Sequence, residues 1–334
     1  MNRSIKILLI LFIATVAIYF LFVRKPWTTI KGELKDFAIK DTSNVTQIFI
    51  ADLNHQSVTL IKQQNNTWKL NKNYIADNSK IKLLLQTIHD VNVLRPVFPK
   101  EHNTAIADLT TRGLKVIFYK GENVLKTIYV GSATPEQTGT YMLIDGSASP
   151  YVTHIPGFVG FLTPRFFAEE LKWRNKLIFD YKPEEIRSIK VSFGNSEGSF
   201  SIDNSENEFP ILKDGNGNIK QILDLKYLKY YVASFNQLYC EGFDVEHNME
   251  FKDSVFKTPV FCTLIVTDKN GKSNKLQLHL KASDIKTKEQ FDENGYPISN
   301  DPEKYFGFIN DDKNVVYIQK YNFGKIVLKS TDFK

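Results

Sequence analysis

Gly194-Asn195-Ser196-Glu197-Gly198 spells the G-x-S-x-G pattern of a serine nucleophile. That chemistry needs a strand-to-helix elbow to expose the hydroxyl, whereas strand-like runs flank this segment on both sides, Ile189 to Val191 and Phe200 to Ile202. The glycines predict a hairpin turn. Asp214-Gly215-Asn216-Gly217-Asn218 sets oxygens at alternating positions as a calcium loop does, but Ile219 stands where that loop requires glycine and Leu225 where it requires glutamate. A polar turn is expected there. The six histidines, His55, His89, His102, His154, His247 and His279, show no zinc-ligand spacing, and neither Cys240 nor Cys262 has a C-x-x-C partner. The carboxylate pairs Glu169–Glu170, Glu184–Glu185 and Asp311–Asp312 are neighbours in sequence, which suits a solvated surface better than acid–base work. The sequence therefore assigns no catalytic residue, no metal and no cofactor. Cys240 follows a helical segment and Cys262 opens a strand. A disulfide in an oxidising compartment and two buried thiols both fit that placement.

The segment best suited to recognition lies between His154 and Arg174. It carries His154-Ile155-Pro156-Gly157-Phe158, then Leu162-Thr163-Pro164-Arg165-Phe166-Phe167, then Trp173-Arg174. Aromatics mixed with arginine are what binding hot spots favour, so Tyr141, His154, Phe158, Arg165, Phe167, Trp173 and Arg174 form the candidate surface. Their role is either to meet a partner or to wedge two parts of the chain together, and the rigid Pro and Gly positions favour the wedge.

The elements that must position these residues follow from hydrophobic periodicity. Short alternating runs, Ile48-Phe49-Ile50, Val58-Thr59-Leu60 and Trp68-Lys69-Leu70, predict a meander starting near Val45. Ser79 then caps a helix with Ile81, Leu84, Leu85, Ile88 and Val91 on one face, and Pro96 stops it. Strands resume at Val116 to Tyr119, Leu125 to Val130, Tyr141 to Ile144 and Tyr151 to Ile155. The same order recurs. Ile189 to Val191, Phe200 to Ile202 and Phe209-Pro210-Ile211 mirror the opening runs, with Phe209 in the place of Trp68. A helix with Leu225, Leu228, Val232, Phe235 and Leu238 follows, and strands at Leu264 to Thr267, Leu276 to Leu280, Tyr305 to Ile309 and Val315 to Ile318 complete the series. Phe158-Val159-Gly160 is echoed by Asn322-Phe323-Gly324. The expected fold class is α+β: two tandem related domains, each an antiparallel meander plus one main helix, after a single N-terminal transmembrane helix.

That anchor is read from Ile7 to Val23, where thirteen of seventeen residues are Leu, Ile, Phe or Val, flanked by Arg3 and Lys6 on one side and Arg24 and Lys25 on the other. Insertion is favourable by roughly 5 kcal/mol on the biological scale before Thr15 and Tyr19 are charged against it, and no small-x-small cleavage site follows the run. The expected layout is an anchor at 1–25, a tether at 26–44, a first domain at 45–175 and a second at 176–334. Topology is expected to be N-in, with the globular part periplasmic. Residues 1–25 carry four basic and no acidic groups, which leaves 39 basic against 37 acidic residues in the remainder. So neutral a globular part excludes the basic footprint of a nucleic-acid binder.

At the His154–Arg174 block and at Gly139-Thr140-Tyr141-Met142 the chain resembles a family of bacterial envelope proteins classed as a domain of unknown function, the family numbered 4340. The similarity runs from the tether through the first copy and weakens across the second. It implies a membrane-anchored protein of Bacteroidetes-type bacteria with no assigned activity, some relatives being companions of ABC-type exporters or gliding-associated transport machinery. The expected function is a non-catalytic scaffold or accessory subunit of an envelope transport or motility complex, attached to the inner membrane. The alternatives are a periplasmic glycan or small-ligand binding module held near Tyr141 and His154, and, third, a hydrolase.

Overall fold

In the computed structural model the described residues are 35–333, except 72, 207–208, 222–223, 284–290 and 293–294. The anchor expected at Ile7 to Val23 lies outside them. Among the described residues, no helix is long and apolar enough to cross a membrane.

The chain divides into two units. The first runs through Asn73 and resumes at Asn78–Ala168; the second comprises Tyr74–Asp77 and Glu169 onward. The boundary drawn from sequence fell after residue 175. In the first unit the strands are β1 (Gln47–Ala51), β2 (Ser57–Lys62), β3 (Trp68–Leu70), β5 (Asn92–Pro96), β6 (Leu114–Lys120), β7 (Asn123–Ala133), β8 (Thr140–Ile144) and β9 (Tyr151–His154), with β4 (Tyr74–Ile75) grouped in the second unit. Among this unit's own strands the order is β3-β2-β1-β6-β7-β8-β9-β5. Alternation explains why they pair as they do: Val58 faces Ile50, Ile50 faces Val116, Val116 faces Ile128 and Ile128 faces Ile144. This buried apolar row crosses five strands, and a slip of one residue in any pairing would turn that strand's share of it outward.

The second unit is built on the same plan. Its strands are β10 (Leu177–Phe179), β11 (Ile186–Phe193), β12 (Phe200–Asp203), β13 (Ile211–Asp214), β14 (Leu238–Tyr239), β15 (Gly242–Phe243), β16 (Val260–Asp268), β17 (Ser273–Ala282), β18 (Asn300–Ile309) and β19 (Val316–Gln319). The main sheet runs β13-β12-β11-β16-β17-β18-β19-β15, element for element the order of the first, while β10 and β14 pair separately. Phe200, Val191, Leu264, Leu276 and Ile309 form the equivalent cross-strand row.

The expected fold class needs correcting. Among the described residues strand predominates over helix, each unit holds one large antiparallel sheet in place of a meander with a separate strand set, and each has two principal helices. In the first unit these are α1 (Asn78–Asp90) and α2 (Pro99–Thr111). After the short α3 (Glu170–Trp173), the second unit adds α4 (Leu225–Ala233) and α5 (Met249–Phe256), with α6 (Lys320–Phe323) near the end. α2 and α5 escape the periodicity test because they bury so little: Ala105, Asp108 and Leu109 in one, Lys252 and Val255 in the other. Their starts were nonetheless encoded, by Pro99 in the first turn and by Asn248, whose side chain accepts from the Phe251 N–H. Pro96 does not stop α1, which ends at Asp90; it closes β5, an edge strand where a missing N–H is tolerated.

Two further details differ from expectation. Phe209 is 61% exposed and does not replace the buried Trp68; Leu212 supplies the buried position in β13. Phe235 and Leu238 lie beyond α4 yet join the same core as Leu228 and Val232. Cys240 and Cys262 are free, buried thiols. Burial pushes Cys240 up to about 11 and Cys262 up to about 12, so at pH 8 the thiolate fraction is on the order of one in a thousand or less. Ellman's reagent is therefore expected to label neither cysteine in the folded chain and both after denaturation; rapid labelling of the native protein would contradict this packing.

Candidate functional site

The sequence motifs that could carry chemistry resolve into turns. Gly194–Gly198 joins β11 to β12, with Ser196 at φ 61° and Gly198 at φ 79°, so strand runs into strand and no nucleophile elbow forms. In the following turn Asp214 Oδ1 accepts from the Asn216 and Asn218 N–H groups at 2.9 Å, and Oδ2 from the Asn218 amide at 3.3 Å. The Asn218 N–H leads the contacts that hold this carboxyl below the usual range. Its oxygens accept from the loop's own donors. Among the described residues, no group of three or more His, Cys, Asp or Glu is placed to hold a metal ion.

The candidate surface does not form one patch. Tyr141 is buried on β8 against Ala105 and Val152, so its ring is withdrawn from any ligand; burial, then the Glu101 charge, raises its hydroxyl. His154 ends β9 opposite Asn92. Phe167 is half-buried beneath Lys80, whose ammonium lies 5.9 Å from the ring centre. Trp173 and Arg174 belong to the second unit, and both are buried.

Phe158 and Arg165 do come together. The Arg165 guanidinium sits 4.5 Å from the Phe158 ring centre, and its Nη1 donates to Thr87 Oγ1 of α1 at 3.1 Å. The intervening loop is held on its C-terminal side: the Leu162 N–H donates to Thr140 Oγ1 at 2.6 Å, and Thr163 Oγ1 donates to the Gly131 carbonyl at 2.8 Å. Gly157 and Gly160 have φ of 81° and 136°, and a Cβ on Gly160 would press on the Phe158 ring. The result is a stiffened loop with Phe158 clasped by arginine and Val159, 91% exposed, at its tip.

The Gly139-Thr140-Tyr141-Met142 run is explained by packing. A Cβ on Gly139 would collide with Val152 Cγ1, and Thr140 both receives the Leu162 N–H and, through its carbonyl, accepts from Thr153 Oγ1 at 3.0 Å. Beside it, Asp108 of α2 takes the Ser132 N–H at 2.5 Å, the Ser132 hydroxyl at 2.6 Å and Arg112 at 2.8 Å. Sequence reading overlooked this buried carboxylate because Ser132, its partner on β7, is remote in the chain.

Two large antiparallel sheets of common strand order, with helices packed on them, define a β-rich two-unit protein. The chain belongs to the family described as Domain of unknown function (DUF4340), whose profile matches residues 68–250, just over half of the chain. The match starts at β3, past the tether, and continues to α5, so the resemblance extends further into the second unit than its motifs suggested. No curated protein and no solved structure matches the chain.

Proposed function

We propose that this protein is a non-catalytic interaction component of a bacterial envelope, a scaffold or accessory subunit of a transport or motility complex. The observation that carries the reading is the 156–161 loop: a largely exposed valine beside an arginine-clasped phenylalanine, preorganised so that little entropy is lost on contact. The apolar run from Ile7 to Val23 supports attachment to the inner membrane as a single-pass protein, with the globular part in the periplasm. A Bacteroidetes-type source is part of the same proposal and rests on the motif resemblance.

Val159→Asp tests it. A substitution at so exposed a position should change folding stability by no more than about 0.5 kcal/mol, while reducing the partner recovered after cross-linking in native membranes about tenfold or more. Undiminished recovery would remove the loop from the interface. Protease added to spheroplasts should digest the chain after Lys31; full protection would overturn the periplasmic placement.

A further inference from the structure

At the edge of the second unit's sheet, β15, β17, β18 and β19 border an open cleft of about 440 Å³, within the size range of small-ligand pockets. Its charged lining is unbalanced. Glu241, Asp244, Glu246, Asp301 and Glu303 contribute five carboxylates against the two ammonium groups of Lys281 and Lys304. Both lysines are already engaged, Lys281 with Asp301 at 2.7 Å and Lys304 with Glu241 at 2.9 Å. That leaves Asp244, Glu246 and Glu303 without a lysine.

Asp244 is the informative member. It is 1% exposed, and its Oδ1 is crowded with donors: the Glu246 N–H at 3.2 Å, the His247 N–H at 3.4 Å, His247 Nδ1 at 3.0 Å and the Tyr317 hydroxyl at 3.4 Å. Its Oδ2 is buried and meets no hydrogen-bond donor among the described residues. A buried carboxylate oxygen without a donor is costly and calls for a compensating group. Burial pushes this carboxyl up, but the donors on Oδ1 outweigh it and hold the group below the usual range, so the charge persists at neutral pH.

The remaining walls indicate what kind of charge would compensate. Phe243 and Tyr317 bring aromatic surface, with Val245 and Pro302 beside them, and Arg174 already lies against the Phe243 ring at 4.3 Å. Aromatic faces with carboxylates that no lysine engages suit an organic cation, which gains from both. A bare divalent ion would need several converging oxygen ligands, and the described residues place no such group.

We infer that this pocket binds a primary ammonium group carried on an alkyl chain, either a free amine or a lysine side chain of a bound polypeptide. The site is independent of the 156–161 loop, and neither proposal depends on the other.

The test is calorimetric titration of the full chain, at physiological ionic strength, with cadaverine, with N-acetyl-lysine amide and with the neutral diol of cadaverine's length. Saturable binding of an amine at ~1 mM or tighter, with none for the diol, is the expected result. Binding of both amines would assign side-chain capture; binding of cadaverine alone would assign a free amine. Glu246 and Glu303 are exposed, so Glu246→Gln with Glu303→Gln should leave the thermal melt in place while weakening amine binding about tenfold. The assignment is overturned if neither amine binds, if the diol binds as well as the diamine, if the double variant binds unchanged, or if calcium alone occupies the pocket and amines do not displace it.

Discussion

Truncating Trp173 to alanine is expected to destabilise the second unit by ~3–5 kcal/mol, the range for removing a buried aromatic from a core. Trp173 is 0% exposed at the end of α3, and its carbonyl accepts the Asp77 N–H at 2.8 Å. Next to it Ala76 bridges Arg174, and the Asn175 N–H donates to the Ile75 carbonyl at 2.9 Å. The buried Trp173 thus stands where the Tyr74–Asp77 segment pairs with the rest of the second unit. A unit of this size loses roughly 2–4 °C of melting temperature per kcal/mol, so the drop should be about 6–20 °C by calorimetry. An unchanged melt accompanied by loss of partner recovery would instead make Trp173 a contact residue.

The neighbouring substitution, Arg174→Ala, is expected to cost about as much for a different reason. The guanidinium is held between two rings, 3.9 Å from the centre of Tyr74 and 4.3 Å from that of Phe243, and pairs with Asp312 at 2.8 Å. Both charged side chains are largely shielded, at 10% and 19% exposure. Removing one partner of a buried pair leaves the other charge uncompensated, which costs about 3–5 kcal/mol. Replacing both, as Arg174→Met with Asp312→Leu, should recover much of that loss; if the double variant is no more stable than Arg174→Ala, the stranded charge is not the cause.

The pair also sets a pH dependence. Burial pushes the Asp312 carboxyl up, but the Asn314 N–H and the Arg174 charge outweigh it, leaving the folded value below the usual range. A carboxyl depressed by folding contributes stability that is fully present above its unfolded value of about 3.9 and is lost as pH falls through the folded value. Without Arg174 the depression shrinks or reverses. The stability lost on acidification should therefore be smaller in Arg174→Ala than in the native chain, as read from urea midpoints across an acid titration. Equal losses would show that Arg174 does not hold Asp312 charged.

The sheets were legible in the sequence wherever alternation was regular. Ile48 and Ile50, Val58 and Leu60, and Ile189 and Val191 announce strands because side chains on a pleated strand alternate between two faces. α1 and α4 were equally legible, each burying a stripe at helical spacing. What could not be read was any element whose apolar share is too small for a period to show, hence the omission of α2 and α5.

The recognition surface divides along similar lines. Residue type alone identified Phe158, Arg165, Trp173 and Arg174 as unusual, since aromatic and arginine side chains are costly to leave idle. Their destinations were decided in three dimensions: Arg165 onto Phe158 at the exposed loop, Arg174 between Tyr74 and Phe243 in a buried clamp, and Tyr141 into the core. The acidic pocket was invisible in the sequence, because Glu241 to Glu246, Lys281 and Asp301 to Lys304 stand on separate segments and form no local motif. Strand pairing brings them together: β15 lies on β19, β19 on β18 and β18 on β17. Periodicity is a property of neighbours along the chain and determined the strands. The pocket is a property of neighbours across the sheet, which exist only once the register of distant strands is set.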